Sequence, residues 1–358
     1  MKFSFTVQTR ITDWHFIKYL EDLGYDAAWV PDTQMMWSDC YATMALAAQN
    51  TSRIKLGTGV AIAGTRIAPT TAAAISSINA LAPGRVFLGI GTGHTAMRVM
   101  GQDPISITEF REYLRVVRAM LRGEEVDYTY NGRTTSIVWQ EHGSGFRDIE
   151  HPIPIYVAAN GPRALRTAGM YGDGLCSIFN EQIPVLTYNL EQVRKGAKIA
   201  NRELNNYQTT TLTNAVILRA GEKLTDDAIV EKAGSWAVTA LHFVYEIWRY
   251  TKEDSVVPEY MRSIWEEYCD HVDNFPLPKE KAHQLIHEGH CSFYTDGEKK
   301  FVTPEMIEGT TLVGSAAEIA EKITEAGKHG LTEVSLLPPL NHIREAAKEF
   351  AEEVIPLC

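Results

Sequence analysis

Short runs of small and polar residues in this chain have the composition of a ligand site. Small residues occur in Gly57-Thr58-Gly59-Val60, Gly91-Thr92-Gly93-His94, Ala158-Ala159-Asn160-Gly161-Pro162 and Gly172-Asp173-Gly174, and an acidic and an aromatic residue stand at Asp32 and Trp37. Glycine lets a bulky flat ligand approach the backbone closely. Histidine near its ordinary pKa of about 6.5 suits proton transfer. The set predicts a site for a planar ligand, with turn formation as the alternative role of each glycine.

A phosphate position is predicted beside one of these runs. Asn160-Gly161-Pro162 precedes a helical pattern, which places Pro162 at the first helical position, where its missing N–H costs nothing. The free N–H groups of a helix start favour an anion, and Arg163 adds a positive charge. Gly91-Thr92-Gly93 lacks the third glycine of a dinucleotide-binding motif and follows the fourth strand, so a Rossmann interpretation is disfavoured.

The elements that must position these residues alternate between strand and helix patterns. Runs rich in valine, isoleucine and leucine predict strands at 3–8, 26–31, 54–60, 85–91, 153–159, 174–179, 209–218 and 331–337. Strands separated by helical patterns form parallel βαβ units. Eight such units predict an α/β fold of the (β/α)8 TIM-barrel class. In that fold the functional groups come from the carboxyl ends of the strands.

Two insertions interrupt the repeat within an expected single domain over residues 1–358. Residues 124–152 resemble a hairpin-like excursion, and the longest insertion, at about 220–310, lies between strands 7 and 8. Insertions in a barrel commonly cover the active-site mouth or form a subunit interface. The aromatic stripe over 236–268 is expected in a core or interface, and 307–330 is expected to be a solvated helical face.

Composition restricts the class of protein. The chain has 358 residues, 45% of them hydrophobic and 22% charged, with a net charge of -11, which argues against nucleic-acid binding. We find neither a signal-peptide layout nor an apolar run of the roughly 18 residues that a membrane span needs. The five cysteines are scattered without a CxxC pair, so reduced thiols in a cytoplasmic protein are expected.

A group of histidines raises the question of a metal. His283, His287 and His290 would share one face of a helix, a pattern that can bind zinc, with Cys291 following. Gly289 interrupts the helix, and no carboxylate partner pattern accompanies it. The sequence therefore favours a surface helix or a lid segment, and no metal site is predicted.

Together the motifs resemble a known superfamily. The run from Trp29 to Gly101 resembles the bacterial-luciferase-like superfamily of flavin and deazaflavin oxidoreductases. The resemblance covers roughly residues 1–218 and 310–356, through segments such as Trp29-Val30-Pro31-Asp32, Thr65-Arg66-Ile67-Ala68-Pro69, Pro83-Gly84-Arg85-Val86-Phe87-Leu88-Gly89-Ile90-Gly91-Thr92-Gly93, Ala158-Ala159-Asn160-Gly161-Pro162-Arg163 and Thr311-Leu312-Val313-Gly314-Ser315. GxGTG after the fourth strand and AAxGP after the fifth are similar to the branch that uses the deazaflavin coenzyme F420. The resemblance thus implies F420, with FMN as the alternative cofactor.

The resemblance also implies roles for matching residues. Gly59-Val60 corresponds to a bulge, often with a non-prolyl cis peptide, that supports the cofactor ring from behind. Asp32 matches an acidic position beside the ring, and Trp37 matches an aromatic residue on the substrate side. The remaining implied cofactor contacts are Thr92, Ala158, Ala159, Asn160, Gly161 and Pro162.

Two departures bear on catalysis. The deazaflavin sugar-phosphate enzyme of this branch has a histidine where this chain has Thr33, and a glutamate where it has His94. Its acid/base pair is therefore absent as such, and a sugar-phosphate substrate is not supported. His94 either takes over proton transfer or hydrogen-bonds the cofactor or substrate.

Three functions follow as hypotheses. The leading one is hydride transfer between F420 and a small organic substrate. The alternatives are an FMN-dependent monooxygenase supplied by a separate flavin reductase, and a non-catalytic flavin-binding barrel. The resemblance further implies a homodimer, and neither nucleic acid nor a membrane is an expected partner.

Overall fold

The computed structural model describes residues 1–8, 10–141 and 143–358. Its strands are β1 (Lys2–Thr6), β2 (Ala27–Val30), β3 (Lys55–Thr58), β4 (Ala61–Ile62), β5 (Val86–Gly91), β6 (Val126–Tyr130), β7 (Arg133–Ile137), β8 (Ile155–Ala158), β9 (Gly174–Ile178), β10 (Gln208–Ile217), β11 (Thr311–Gly314) and β12 (Glu333–Leu336). Its helices are α1 (Trp14–Asp22), α2 (Cys40–Asn50), α3 (Ala68–Leu81), α4 (His94–Arg98), α5 (Ile107–Leu121), α6 (Pro162–Tyr171), α7 (Ile183–Ile199), α8 (Asp227–Thr251), α9 (Arg262–Asp273), α10 (His283–Ile286), α11 (Pro304–Thr310), α12 (Ala316–Lys328) and α13 (Ile343–Glu349).

The chain forms two compact units. The first comprises residues 1–97, 103–212 and 326–335, and the second comprises 98–102, 213–325 and 336–358. That the whole chain acts as one domain stays a prediction.

The strands of the barrel follow one another in sequence order. The order is β1-β2-β3-β5-β8-β9-β10-β12, with β12 returning to β1, so the parallel sheet closes on itself. The short strand β4 pairs with β5 outside this path. The strands lack polar alternation because both of their faces are buried, as in β5, where all six residues from Val86 to Gly91 are buried. The predicted (β/α)8 barrel is confirmed.

The excursion after α5 is a two-stranded hairpin. β6 and β7 pair antiparallel, with Val126 opposite Ile137 and Tyr130 opposite Arg133. The prediction of a hairpin-like insertion is confirmed for these strands, and residue 142 of the predicted excursion lies outside the described residues.

The second unit is mainly helical, and it corrects one expectation. The segment 307–330 is not simply a solvated helix, because it contains β11, whose residues Thr311, Leu312 and Val313 are buried. This strand pairs in parallel with residues 214–217 of β10. The aromatic stripe does contribute to a core, since Trp236 and Tyr268 are buried and Trp236 Nε1 donates to the Thr310 carbonyl at 2.7 Å.

Among the described residues, we find no helix with the length and apolarity required to cross a bilayer.

A carboxyl group lies inside the barrel at Glu333. Its side chain accepts hydrogen bonds from Ser4 Oγ at 2.6 Å, Trp29 Nε1 at 2.7 Å and Gln208 Nε2 at 2.7 Å. These donors satisfy the buried oxygens, as a buried polar group requires. Burial nevertheless raises the pKa of Glu333 above its ordinary 4.5, more than the donors from Ser4 and Trp29 lower it.

Glu333 and Glu21 are expected to give opposite pH dependences. The Glu333 pKa is raised, so the folded protein holds that proton to higher pH and its stability contribution is lost as pH rises above 4.5. Burial alone would raise the pKa of Glu21, but hydrogen bonds from the amides of Arg53, Ile54 and Ser52 lower it to about 2, so its contribution is lost as pH falls from 4.5 towards 2. Denaturant unfolding over a pH series should show Glu333→Gln gaining stability relative to wild type as pH rises. Glu21→Gln should gain relative to wild type as pH falls, and parallel pH profiles for the two variants would contradict this assignment.

Candidate active site

The predicted site residues converge because their strands are neighbours. β2, β3, β5 and β8 are consecutive strands of the barrel, all parallel. Their carboxyl ends carry Asp32, Gly59-Val60, Gly91-Thr92-Gly93-His94 and Ala158-Ala159-Asn160 respectively. Parallel strands end at the same edge of a sheet, so these residues lie along one arc of the barrel's carboxyl-terminal rim. We refer to these four strand ends as the rim arc.

Asp32 is held by an arginine from the next loop. Its side chain is 3% exposed, and its Oδ2 accepts a hydrogen bond from Arg66 Nη1. The same oxygen faces the amide of Ile62 at 3.4 Å, and Arg66 Nη2 also reaches Asp39 Oδ2 at 2.9 Å. Burial disfavours the Arg66 cation, but the charge of Asp32 and its hydrogen bond outweigh this and raise the Arg66 pKa. Asp32 therefore anchors the segment that follows β3.

The peptide bond between Gly59 and Val60 is cis. This confirms the expectation that the resemblance gave for this pair. The Gly59 amide donates to the Val30 carbonyl at 2.7 Å, which joins the bulge to β2. A Cβ at Gly59 would stand 2.6 Å from Trp29 Cβ, so only glycine fits here. Val60 is half-buried and packs against the core cluster that includes Trp29 and Phe87.

Close packing within the protein explains several glycines of the predicted site without a ligand. A Cβ at Gly93, whose φ is +92°, would meet Ile62 Cγ2 at 2.5 Å, and one at Gly57 would meet the Phe87 ring at 2.1 Å. A Cβ at Gly174 would meet the Gln208 carbonyl at 2.7 Å, and this glycine begins β9, at the end of the strand opposite the rim arc. Gly161 differs, because nothing lies within 4 Å of the position of its missing Cβ. Packing within the protein therefore suffices to explain glycine at three of these four positions, and Gly161 is the one of the four that faces open space.

Polar groups of β9 and α7 hold the loop before α6 in place. Asn160 Oδ1 accepts from Ser177 Oγ at 2.6 Å and from the Ile178 amide at 3.3 Å. Buried Asn189 extends this network, since its Nδ2 lies 3.3 Å from Ser177 Oγ and 2.8 Å from Asn180 Oδ1. The backbone of Asn160 is thereby held while its neighbours Gly161 and Pro162 are exposed.

Helix α6 begins as the sequence predicts. Pro162 is its first residue and Gly161 its N-cap, in an extended conformation with φ -91° and ψ 155°. The exposed Arg163 follows. The amides of this first helical turn face outward without intrahelical acceptors, which suits an anion.

His94, Thr92 and Trp37 complete the predicted set. His94 is the first residue of α4, and both His94 and Thr92 are half-buried. Gln34 Nε2 donates to the Ala96 carbonyl at 3.0 Å, which ties the loop after β2 to α4. Trp37 is half-buried in the same loop, with its amide bonded to the Thr33 carbonyl at 3.0 Å. The loop that carries Trp37 and the helix that begins at His94 are thus connected by a hydrogen bond.

Sequence reasoning missed Arg66 and the network of Ser177, Asn180 and Asn189. Arg66 belongs to a motif that supported the resemblance, yet it received no role. A buried carboxylate at a strand end needs a cation, so Asp32 itself was the signal for Arg66. The three network residues gave no such signal, because isolated serine and asparagine residues are common in loops and helices.

Comparison with known proteins identifies the family. A family described as luciferase-like monooxygenase matches residues 14–333. The chain belongs to the luciferase-like monooxygenase family. The rim arc is therefore part of the carboxyl-terminal rim of a luciferase-like barrel.

Individual relatives match this luciferase-like chain over different extents. A 5,10-methylenetetrahydromethanopterin reductase of Methanopyrus kandleri is 28% identical over 358 residues, covering 96% of this chain and 93% of that protein. The reductase of Methanolobus tindarius is 34% identical over 194 residues, 53% of this chain and 56% of its own length. An F420-dependent glucose-6-phosphate dehydrogenase of Beutenbergia cavernae is 34% identical over 173 residues, 43% and 48% of the two chains. In the latter two comparisons the match spans about half of each relative.

Solved structures share the fold of this luciferase-like chain. The coenzyme F420-dependent tetrahydromethanopterin reductase of Methanopyrus kandleri superposes with a TM-score of 0.74 at 24% identity, covering 99% and 98% of the chains. An F420-dependent secondary alcohol dehydrogenase in complex with an F420-acetone adduct gives 0.67 at 19% identity, with the same coverage.

The Asp32–Arg66 pair is expected to contribute to stability as a coupled unit. Asp32→Asn should lower the free energy of unfolding by about 2 kcal/mol, because it leaves a half-buried guanidinium with only the exposed carboxylate of Asp39 as its anion. Adding Arg66→Met should recover part of that loss, which a double-mutant cycle measures as a coupling energy of about 1–3 kcal/mol. The exposed Arg219–Glu353 pair is the matched control, with an expected coupling below about 1 kcal/mol. Equal couplings for the two pairs would contradict the anchoring role of Asp32.

Proposed function

We propose that this protein is an oxidoreductase that transfers a hydride between coenzyme F420 and a small organic substrate. The full-length match to methylenetetrahydromethanopterin reductases supports the proposal. So does the F420 dependence stated for related glucose-6-phosphate dehydrogenases. The structural observation that carries it is the rim arc, where four neighbouring parallel strand ends bring Asp32, Val60, Thr92 and Ala158 to one edge, beside the open loop at Gly161.

The residues of the rim arc fit a planar ring with a phosphate tail. Val60, Thr92 and Ala158 are half-buried, so each has a face available to a ligand. A Cβ at Gly91 would stand 3.3 Å from both Val60 Cγ2 and the Ala158 Cβ, so these two side chains flank the same position of β5. We assign Val60 to the back of the ring and Thr92 and Ala158 to its edge.

The phosphate is assigned to the amino terminus of α6. Gly161 leaves space where another residue would place a Cβ, and Pro162 removes no needed donor. The following amides and the Arg163 guanidinium supply the positive end of the helix dipole and a charge. Asn160 and Ala159 position this turn through β9, since Asn160 is bonded to Ser177 and the Ala159 amide to the Cys176 carbonyl.

The protein's own residues hold the cofactor, shield one face of its ring and transfer a proton. When bound, F420 supplies the carbon that accepts or donates the hydride. Asp32, through Arg66, fixes the segment that contains Val60, and Trp37 lines the substrate side. His94, at the start of α4, donates or accepts the proton that accompanies hydride transfer to a carbonyl or imine. Thr33 in place of a histidine separates this site from the sugar-phosphate enzymes, so we assign a different small substrate.

The FMN-dependent monooxygenase is the second candidate. Two observations favour keeping it: the family is described as luciferase-like monooxygenase, and the fold is shared with a monooxygenase at 17% identity and with an FMN-bound Baeyer–Villiger monooxygenase at 16%. The two functions differ in the cofactor that binds and in the need for a separate flavin reductase. A homodimer and a cytoplasmic location stay predictions for either function.

Titration of the purified protein separates the two cofactors. Fluorescence titrations with oxidised and reduced F420 should show micromolar or tighter binding, and FMN should bind much more weakly. Gly161→Val should weaken F420 binding by about tenfold or more, because its side chain fills the open position at an extended backbone that valine tolerates. Gly327→Ala on α12 is the control, since its Cβ meets only the end of the Met1 side chain. Micromolar binding of FMN without F420 binding would overturn the proposal.

His94 is expected to affect turnover more than binding. A panel of ketones, aldehydes and imines is mixed with reduced F420, and cofactor oxidation is followed by absorbance to find a substrate. With that substrate, His94→Gln should lower kcat by about 100-fold or more, while the F420 dissociation constant changes little. His15→Gln, at an exposed position of α1, should retain wild-type turnover. Unchanged kcat in His94→Gln would remove His94 from the chemistry.

A further inference from the structure

The second unit contains a cluster of imidazoles that the proposed function does not use. His242 lies on α8, and His287 and His290 lie in the turns that follow α10. One nitrogen of each ring falls within 4.8 Å of the other two. His242 is 1% exposed and His287 2%, while His290 is half-buried.

The local backbone fixes this arrangement. His242 and Glu246 are one turn apart on α8, so their side chains lie on the same face of the helix. The turn that carries the other two histidines is closed by the His290 amide on the His287 carbonyl at 3.1 Å. It is joined to α8 by the Cys291 amide, which donates to Thr239 Oγ1 at 3.0 Å. The three rings therefore converge from two tied segments.

Several buried polar atoms in this cluster lack hydrogen-bond partners within the part of the chain that the structure describes. They are His242 Nδ1, both ring nitrogens of His287 and both carboxylate oxygens of Glu246. Glu246 is fully buried, at 0% exposure. Leaving such groups unsatisfied in a protein interior is costly. Because two guanidinium groups face Glu246 Oε2, the atoms that most need a ligand are the His242 and His287 nitrogens and Glu246 Oε1.

A second carboxylate orients His242. Glu298 Oε1 lies 2.7 Å from His242 Nε2, and Glu298 Oε2 in turn accepts from the Thr295 amide and hydroxyl at 2.8 Å. A carboxylate on one imidazole nitrogen leaves the other with its lone pair exposed to the cluster. This carboxylate–histidine arrangement is the usual support of a metal-ligating histidine.

We propose that His242, His287 and His290 bind a divalent transition-metal ion of the zinc type, with Glu246 as the fourth ligand. Imidazole-rich sites select zinc and its neighbours, whereas magnesium and calcium require oxygen ligands. Zinc holds imidazole nitrogens at about 2.0–2.1 Å, which puts ligands of a tetrahedral site about 3.4 Å apart. Binding therefore draws the rings together from their separation of up to 4.8 Å.

Two arginines border the site and share Glu246 with it. Arg249 Nε lies 3.2 Å and Arg98 Nε 3.6 Å from Glu246 Oε2, whereas Oε1 faces His287 Nε2 at 3.7 Å. One carboxylate oxygen thus serves the guanidinium groups, and the other is directed to the histidines. Glu246 and Glu298 balance the two arginine charges, so three neutral imidazoles provide most of the affinity for the ion.

The site differs from the one that the histidine spacing suggested. α10 ends at Ile286, so His283 does not share a helical face with His287 and His290, and its ring lies near Gly101. The expectation of a surface helix is wrong for His287, which is buried. The missing carboxylate pattern is supplied instead by Glu246 and Glu298, from elsewhere in the chain. The ion's role is to join α8 to the turn at 287–290.

Metal titration of the full-length protein tests the site. Protein stripped with a chelator is given Zn²⁺ or Co²⁺, desalted and measured by elemental analysis, with about one ion per chain expected. Bound Co²⁺ should show the intense visible bands of a four-coordinate site, and Zn²⁺ should raise Tm. His287→Asn and His290→Gln should weaken metal binding by about 100-fold or more, whereas His283→Gln should bind as wild type does.

Several outcomes of these experiments would contradict the proposed metal site. The half-buried His290 tolerates replacement more readily than His287, so His290→Gln remains informative should His287→Asn fail to fold. Absence of stoichiometric metal in the wild type would overturn the proposal. So would Co²⁺ bands that survive in His290→Gln, or bands that vanish in His283→Gln. None of these readouts depends on F420 binding, so this inference and the proposed function fail separately.

Discussion

A buried carboxylate requires a nearby cation, and the ion pair of Asp32 with Arg66 is the constraint on which the candidate site depends. Asp32 follows β2, while Arg66 belongs to the loop after the cis peptide at Gly59–Val60. The pair therefore ties the segment after that bulge to the end of β2. Through the Ile62 amide, the same carboxylate reaches β4, which pairs with β5 next to Thr92. One interaction thus sets the positions of three of the four strand ends in the rim arc.

The core below the rim arc also helps to position the rim residues. Glu333 accepts from the Trp29 indole, and the Trp29 Cβ contacts the place where a side chain at Gly59 would be. Phe87 and Tyr156 pack around Trp29, with ring centroids 4.5 and 5.9 Å away. Gly59 is therefore small because the large Trp29 residue below it occupies the space that a side chain would need. The open position at Gly161 is different, because packing does not account for it, and it is the position beside which we assign the cofactor's phosphate.

Much of this architecture was predictable from the sequence. Continuous apolar runs such as Val86–Gly91 and intervening helical patterns predict the barrel, because strands buried on both faces need no polar alternation. Asp32, His94 and Asn160 were predicted as site residues because functional groups lie at the carboxyl ends of the strands in this fold. Arg66 was missed since its partner is 34 residues away in the chain. The histidine site was missed for a similar reason, because His242 and Glu246 join His287 only through tertiary packing, and β11 was hidden inside a segment with a helical composition.

Hydrogen–deuterium exchange with and without F420 tests the central claim most directly, since it locates the ligand without a known substrate. The account predicts that F420 slows amide exchange in peptides covering 58–66, 91–97 and 158–165, the segments that the rim arc brings together. Peptides from the β6–β7 hairpin should exchange at the same rate with and without the cofactor. Protection that omits the segment around Val60, or that is confined to residues 227–310, would contradict the account.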